Sequence, residues 1–308
     1  MGRNRRRRLI GMKSGFNLSV TSFTQSLGAE LLTNGSFAAW TTGDPDSWTE
    51  IGESGTDPEV TQVAAANTHG GGGTGAMNLY SSATASQPGV SQVVAAAAGD
   101  WVEFAMDVSA RASGGVRLVD SGLAGLNVAT ISSVRTIKRM FQIANTTATI
   151  RCIGAAPHDV TGDNASFKKI TPNAAVNTVN NGTFDFLFTE AGTKYAQHMI
   201  GLQYNIQDDG NYFILYLSRK IDNSDWDIYH ARVVNNVPAV NTLLATGTGA
   251  VTGLRAIRSG STHKLYTLAS GTYTQRGSDQ TDANFAAAIG LRAIYSPDTT
   301  PIELRAVA

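Results

Sequence analysis

Trp101-Val102-Glu103-Phe104-Ala105-Met106-Asp107-Val108 places Val102, Phe104, Met106 and Val108 at every second position, with Glu103 and Asp107 falling between them. A strand turns successive side chains to opposite faces, so this period of two predicts a β-strand with one face on a core. The runs Val116 to Val119, Val128 to Ile131, Lys138 to Ile143 and Ala148 to Ile153 repeat the reading, separated by Gly, Ser, Asn and Asp. Short strands at spacings of about ten residues, joined by turn formers, predict two packed antiparallel sheets.

The second half of the chain reads the same way. Thr183 to Phe188, Met199 to Tyr204, Tyr212 to Leu217, Trp226 to Val234, Leu254 to Ile257, His263 to Leu268, Ala286 to Ile294 and Ile302 to Val307 are expected strands. Asp208-Asp209-Gly210-Asn211 is a hairpin signal between two of them. Apart from a turn near Asp282 to Ala287, no helix is expected. The fold class is therefore all-β: two antiparallel β-sandwiches of jelly-roll type behind an extended N-terminal arm. The expected divisions are an arm over 1–29, a first domain over 30–172 and a second over 173–308, hinged at Asn173 to Asn177.

Composition narrows the function classes. Charged residues are 16% of the 308, which suits turn-rich β-domains and argues against disorder or a coiled coil. The formal net charge is zero but unevenly placed. Residues 1–29 hold six basic groups and no acid, so residues 30–308 carry the other 18 basic groups against 24 acidic ones. The body is thus anionic and is not expected to bind nucleic acid by bulk charge. The single Cys152 excludes an intramolecular disulfide and reads as a small buried apolar residue. After the arginines only Leu9-Ile10-Gly11-Met12 precedes Lys13, short of the roughly seven apolar residues of a secretory leader. No window supplies the roughly 18 apolar residues of a membrane span, so no span is expected.

Catalytic motifs are incomplete. His69-Gly70-Gly71-Gly72-Gly73-Thr74-Gly75 could supply oxyanion donors, but no Gly-x-Ser-x-Gly elbow accompanies it, and Gly75-Ala76 lacks the ending of a phosphate loop. It reads as a loop between strands. Paired carboxylates in a Glu-x-Asp-x-x-Glu order are absent, with Glu190 and Glu303 isolated, so hydrolysis of a glycosidic bond is not expected. The five histidines lack ligand spacing and are expected at surfaces or strand ends. Asp222, Asp225 and Asp227 offer hard oxygens in one loop and are weak candidates for a structural calcium; no other cofactor is expected.

Glu30-Leu31-Leu32-Thr33-Asn34-Gly35-Ser36-Phe37, followed by Trp40 and Trp48, opens a segment that Gly162-Asp163-Asn164-Ala165-Ser166-Phe167-Lys168-Lys169-Ile170 closes. This pair resembles the opening and closing of family 4/9-type carbohydrate-binding jelly rolls, which implies first and last strands lying side by side and a glycan ligand. Those modules often carry a calcium-binding acid after the opening Phe; Ala38 stands there in this chain. Residues 183–307 resemble concanavalin/laminin-G-like sandwiches in the order of their strands.

Sugars are held by flat aromatic faces with amides and carboxylates nearby. Tyr80, Trp226, Tyr229 and Tyr273 are the candidates, whereas Trp40, Trp48 and Trp101 are expected to pack. A basic arm before glycan-binding-like sandwiches resembles bacteriophage virion proteins: head fibres or spikes, decorations and tail fibres. The resemblance implies a non-enzymatic protein of the phage particle surface. Arg3, Arg5, Arg6, Arg7, Arg8, Leu9 and Ile10 would anchor it to other virion proteins of capsid or tail. The sandwiches would meet host cell-surface polysaccharide, and the protein would be a homo-oligomer such as a trimer. The competing classes are a polysaccharide-degrading enzyme or its accessory module, and a stabilising capsid decoration without ligand.

Overall fold

A computed structural model describes residues 16–82, 87–120, 134–143, 145–152, 157–190, 199–219, 225–296 and 299–308. Among these residues the regular elements are all β-strands, and their pairing is antiparallel. The strand expected at Val128 to Ile131 lies outside the described residues.

Four larger sheets stack in series, and Trp40–Thr41 pairs with Asp44–Pro45 in a separate two-stranded sheet. Sheet 1 runs in the order Val116–Asp120, Thr147–Cys152, Gly89–Val93, Thr49–Ile51. Sheet 2 runs Arg135–Gln142, Trp101–Ser113, His158–Thr171, Ala76–Ser81, Glu59–Val63, with Ser26–Glu30 also paired to His158–Thr171. Sheet 3 runs Val176–Asn177, Gly290–Tyr295, Met199–Asp208, Asn211–Arg219, Asp225–Val234, Val237–Thr248. Sheet 4 runs Asn17–Val20, Thr299–Val307, Gly182–Glu190, Gly253–Ser259, Thr262–Ala269, Thr272–Gln275, with Gln280–Thr281 on Thr262–Ala269.

Alternation explains the layers. Val102, Phe104, Met106 and Val108 enter a first core between sheets 1 and 2, with Cys152 among its members. Phe184, Phe186, Phe188, Phe213 and Leu215 enter a second core between sheets 3 and 4. Trp101, Met140 and Ile170 leave sheet 2 by its other face and meet Tyr212, Ile214, Tyr216, Tyr229 and Ile294 of sheet 3. This third cluster is a seam that joins the two sandwiches. Gln142 crosses it, donating to Asn236 Oδ1 at 3.0 Å and accepting from the Tyr212 hydroxyl at 2.7 Å.

The resembled opening and closing motifs do lie side by side. The Glu30 carboxylate accepts the Phe167 N–H at 2.7 Å and the Ser166 hydroxyl at 2.6 Å, and Leu31 N–H donates to Phe167 O at 2.9 Å. Trp40 and Trp48 donate their indole N–H groups to Phe37 O and Asn34 O, pinning the turn.

Two expectations are revised. The segment read as an arm to residue 29 joins the sheets from Asn17 onward, because Asn17–Val20 pairs with Leu304 to Val307 and Ser26–Glu30 with Lys168 to Thr171. The strand read as Ala286 to Ile294 begins at Gly290, since residues 284–287 form turns.

Candidate functional site

Two rows of side chains cross the open part of sheet 2. Glu59, Tyr80 and Asp159 are direct cross-strand partners, as are Thr61, Asn78 and Thr161. Residues two apart share a face, so both rows stand on one side of the sheet. The alternate residues Val60, Met77, Leu79 and Val160 fill the first core behind them.

The loop between Glu59–Val63 and Ala76–Ser81 folds back onto these rows. Its His69 imidazole stacks on the Tyr80 ring with centroids 3.6 Å apart and planes at 11°. His69 Nδ1 lies 3.0 Å from Glu59 Oε1, and the His69 backbone N–H donates to Asp159 Oδ1 at 2.9 Å. Asn78 Nδ2 donates to Asp159 Oδ1 at 2.9 Å and to Thr161 Oγ1 at 3.0 Å, while the Thr161 hydroxyl donates to Asn67 O at 2.6 Å. The glycine run permits the fold: Gly73 has φ +111° and passes so close to Ala64 that a side chain would collide with it. The His-Gly-Gly-Gly string is therefore loop architecture.

Several polar atoms at this place are unused among the described residues. Asn78 Oδ1 and Thr61 Oγ1 are buried without a hydrogen bond, and neither the Tyr80 hydroxyl nor Asp159 Oδ2 takes part in one. Tyr80 itself is half-buried. An aromatic ring beside carboxylates, an amide and hydroxyls can stack on a sugar and bond its polar substituents.

The other aromatic candidates are not gathered here. Tyr273 is half-buried on the outer face of sheet 4, where the Arg255 guanidinium lies 3.6 Å from its ring centroid. Arg255 is in turn held by both oxygens of Asp185, at 2.5 and 2.8 Å. Burial raises the Tyr273 hydroxyl above its ordinary pKa. Trp226 and Tyr229 are corrections. Trp226 is 3% exposed in the second core, with the Arg276 guanidinium 4.9 Å from its ring. Tyr229 is 7% exposed in the seam, stacked on Tyr216 at 5.0 Å. Their strand belongs to a sheet covered on both faces, so neither ring is open to a sugar.

The anchoring residues Arg3, Arg5, Arg6, Arg7, Arg8, Leu9 and Ile10, and the metal candidate Asp222, lie outside the described residues. Asp225 and Asp227 sit in the strand Asp225–Val234, where Asp227 Oδ2 accepts from the Tyr229 hydroxyl at 3.3 Å. Among the described residues no three His, Cys, Asp or Glu side chains gather as a metal site would require. His158, His230 and His263 are buried; His158 does open the strand His158–Thr171, whereas His230 lies inside Asp225–Val234, neither at the surface nor at a strand end.

Sequence reading singled out Tyr80 but not Glu59, Asn78 or Asp159. The signal was present: Glu-x-Thr, Asn-x-Tyr and Asp-x-Thr each put polar or aromatic groups at a spacing of two against apolar neighbours. What it lacked was the pairing that sets three such strands in register.

No protein-family model matches the chain, and no curated protein matches it. A solved structure similar to it is the CBM2 module of the evolved Dit of Lactobacillus casei BL23 phage J-1. That likeness has a TM-score of 0.27 at 12% identity, covering 67% of this chain and 95% of that one. It is too distant to carry fold or function from one protein to the other.

Proposed function

We propose that this chain is a non-enzymatic structural protein of a phage particle surface that binds host cell-surface polysaccharide through the Tyr80 face of its first sandwich. Its N-terminal residues attach it to other virion proteins of the capsid or tail, and it acts as a homo-oligomer. The observation that carries the glycan reading is the Tyr80 ring, backed by His69 and set between Glu59 and Asp159 with polar atoms left unused. The virion reading is supported by the basic N-terminus before two β-sandwiches, the layout of the phage proteins that the sequence resembles.

The test exposes the full chain to purified host surface polysaccharide, recording binding by calorimetry and any released oligosaccharide by mass spectrometry. Binding without products, weakened about tenfold or more in Tyr80→Ala, is the expected result, since that ratio corresponds to about 1.4 kcal/mol of lost contact. Undiminished binding in Tyr80→Ala removes the site. Released products make the protein an enzyme, and absence of binding across host polysaccharides favours a ligand-free decoration.

A further inference from the structure

We infer that the Tyr80 face selects a sugar bearing a free amine over N-acetylated or acidic sugars; this rests on the glycan reading above. The unused groups of the site are unpaired acceptors beside two hydroxyls, of Tyr80 and Thr61, that can accept as well as donate. Asp159 Oδ2 and the second oxygen of Glu59, on half-buried side chains, are acceptors without a donor among the described residues, and behind them Asn78 Oδ1, closed to solvent, has none either. Asn78 is completely buried and its amide reaches into the cluster, with Nδ2 on Asp159 and Oδ1 unpartnered. A group that brings only donors satisfies the carboxylate oxygens, and the hydroxyls can turn to accept from it too. An ammonium has three donors and no acceptor, whereas a carboxylate brings only acceptors and an acetamide offers one N–H donor with a carbonyl acceptor and no charge.

Charge and ring point the same way. Glu59 and Asp159 flank Tyr80 in one cross-strand row, and Asp57 stands nearby, bound to Ser82 and close enough to His69 to feel its charge. His69 is the only basic side chain bonded to this cluster among the described residues; no lysine or arginine joins it. A cation is attracted both by the carboxylates and by the negative face and edge oxygen of a tyrosine ring. A uronic acid or phosphate group would meet three carboxylates.

The experiment measures binding of the full chain to three probes: a β-1,4-linked glucosamine tetramer, its N-acetylated counterpart, and a galacturonate tetramer. The glucosamine tetramer is expected to bind at least about tenfold more tightly than either, and to weaken about as much again on raising salt from 50 to 500 mM. Asp159→Asn and Glu59→Gln should each remove most of that preference. Asp159→Asn keeps the oxygen that receives His69 and Asn78, and Glu59→Gln leaves that bonding untouched, so at least one variant reports on charge in a folded protein. Equal or tighter binding of the N-acetylated or acidic tetramer, lost in Tyr80→Ala, overturns the amine preference while leaving the glycan site standing. Failure to bind any of the three overturns the amine preference as well, and the host polysaccharide assay then decides the glycan reading separately.

Discussion

At the scale of single residues, the second core holds a polar chain that its apolar composition does not announce. The Tyr204 hydroxyl lies 2.8 Å from His230 Nε2 and 2.8 Å from His263 Nδ1, and His263 Nε2 lies 3.0 Å from Asp282 O. A carbonyl can only accept, so His263 carries its proton on Nε2. Its Nδ1 then accepts from Tyr204, and Tyr204 accepts from His230 Nε2–H. All three side chains are buried, beneath Phe184, Phe213 and the Arg258 guanidinium. Asp282, paired with Arg232 at 2.7 Å, is an acid whose charge acts on both histidines. Burial drives His230 down to about 3, and His263 is lowered for the same reason. The unfolded chain therefore takes up a proton on His230 near its ordinary pKa of about 6.5, while the folded chain does not. The penalty is absent above that pH and grows as pH falls toward 3, by about 1.4 kcal/mol per pH unit. Thermal unfolding followed between pH 7 and pH 4 should show the melting temperature falling. His230→Gln, which keeps a donor for Tyr204, should flatten the curve; an unchanged slope in that variant would assign the acid sensitivity elsewhere.

At the scale of strands, what was legible depended on how many faces each one buries. The alternation in Trp101–Ser113 and the apolar run Tyr212-Phe213-Ile214-Leu215-Tyr216-Leu217 both announced strands. The run also held a second message: Phe213, Leu215 and Leu217 enter the second core while Tyr212, Ile214 and Tyr216 enter the seam. An unbroken apolar run is the signature of a strand covered on both sides. Assuming one wet face made Trp226 and Tyr229 look like exposed platforms and hid the interior place of His230. The strand Val237–Thr248 was not legible, because Val-Pro-Ala-Val-Asn-Thr-Leu-Leu-Ala-Thr-Gly-Thr has neither alternation nor aromatics and contains Pro238. It is an edge strand, where a missing N–H is tolerated, and its register comes from Asp225–Val234. Gly247 is directly opposite Trp226 in that pairing, and a Cβ there would overlap the indole ring. Gly247→Ala should thus force Trp226 off the second core and destabilise the protein by about 1–3 kcal/mol. The exposed Thr246→Ala on the same strand should stay within about 0.5 kcal/mol. Urea denaturation of the pair checks this, and equal midpoints would mean that the ring can shift at no cost.

At the scale of the whole molecule, the seam and the N-terminal segment make one body of two sandwiches. Residues 16–30 run from one to the other: Asn17–Val20 edges sheet 4, and Ser26–Glu30 edges sheet 2. Between them the Phe23 ring lies 6.2 Å from both Phe186 and Tyr295, the Gln25 N–H donates to Asn173 Oδ1 at 2.9 Å, and the Gln25 side chain bonds the Tyr295 backbone. The described bracing starts at Phe16, whose carbonyl accepts the Ala308 N–H at 3.0 Å, so a cut before Phe16 and one beyond it test attachment and folding separately. A deletion of residues 2–15 should leave the calorimetric transition in place and abolish incorporation into particles; retained incorporation would end the anchoring proposal. A deletion of residues 2–29 removes the Phe23 contact and most of both edge strands. Losing a packed aromatic alone costs about 3–5 kcal/mol, which for sandwiches of this size lowers the melting temperature by about 10 °C. The two deletions melting together would show that the segment only lies on the sandwiches. A separation of that size, with incorporation lost in both, would show that the same N-terminus braces the fold from Phe16 onward and attaches the particle protein through the residues before it.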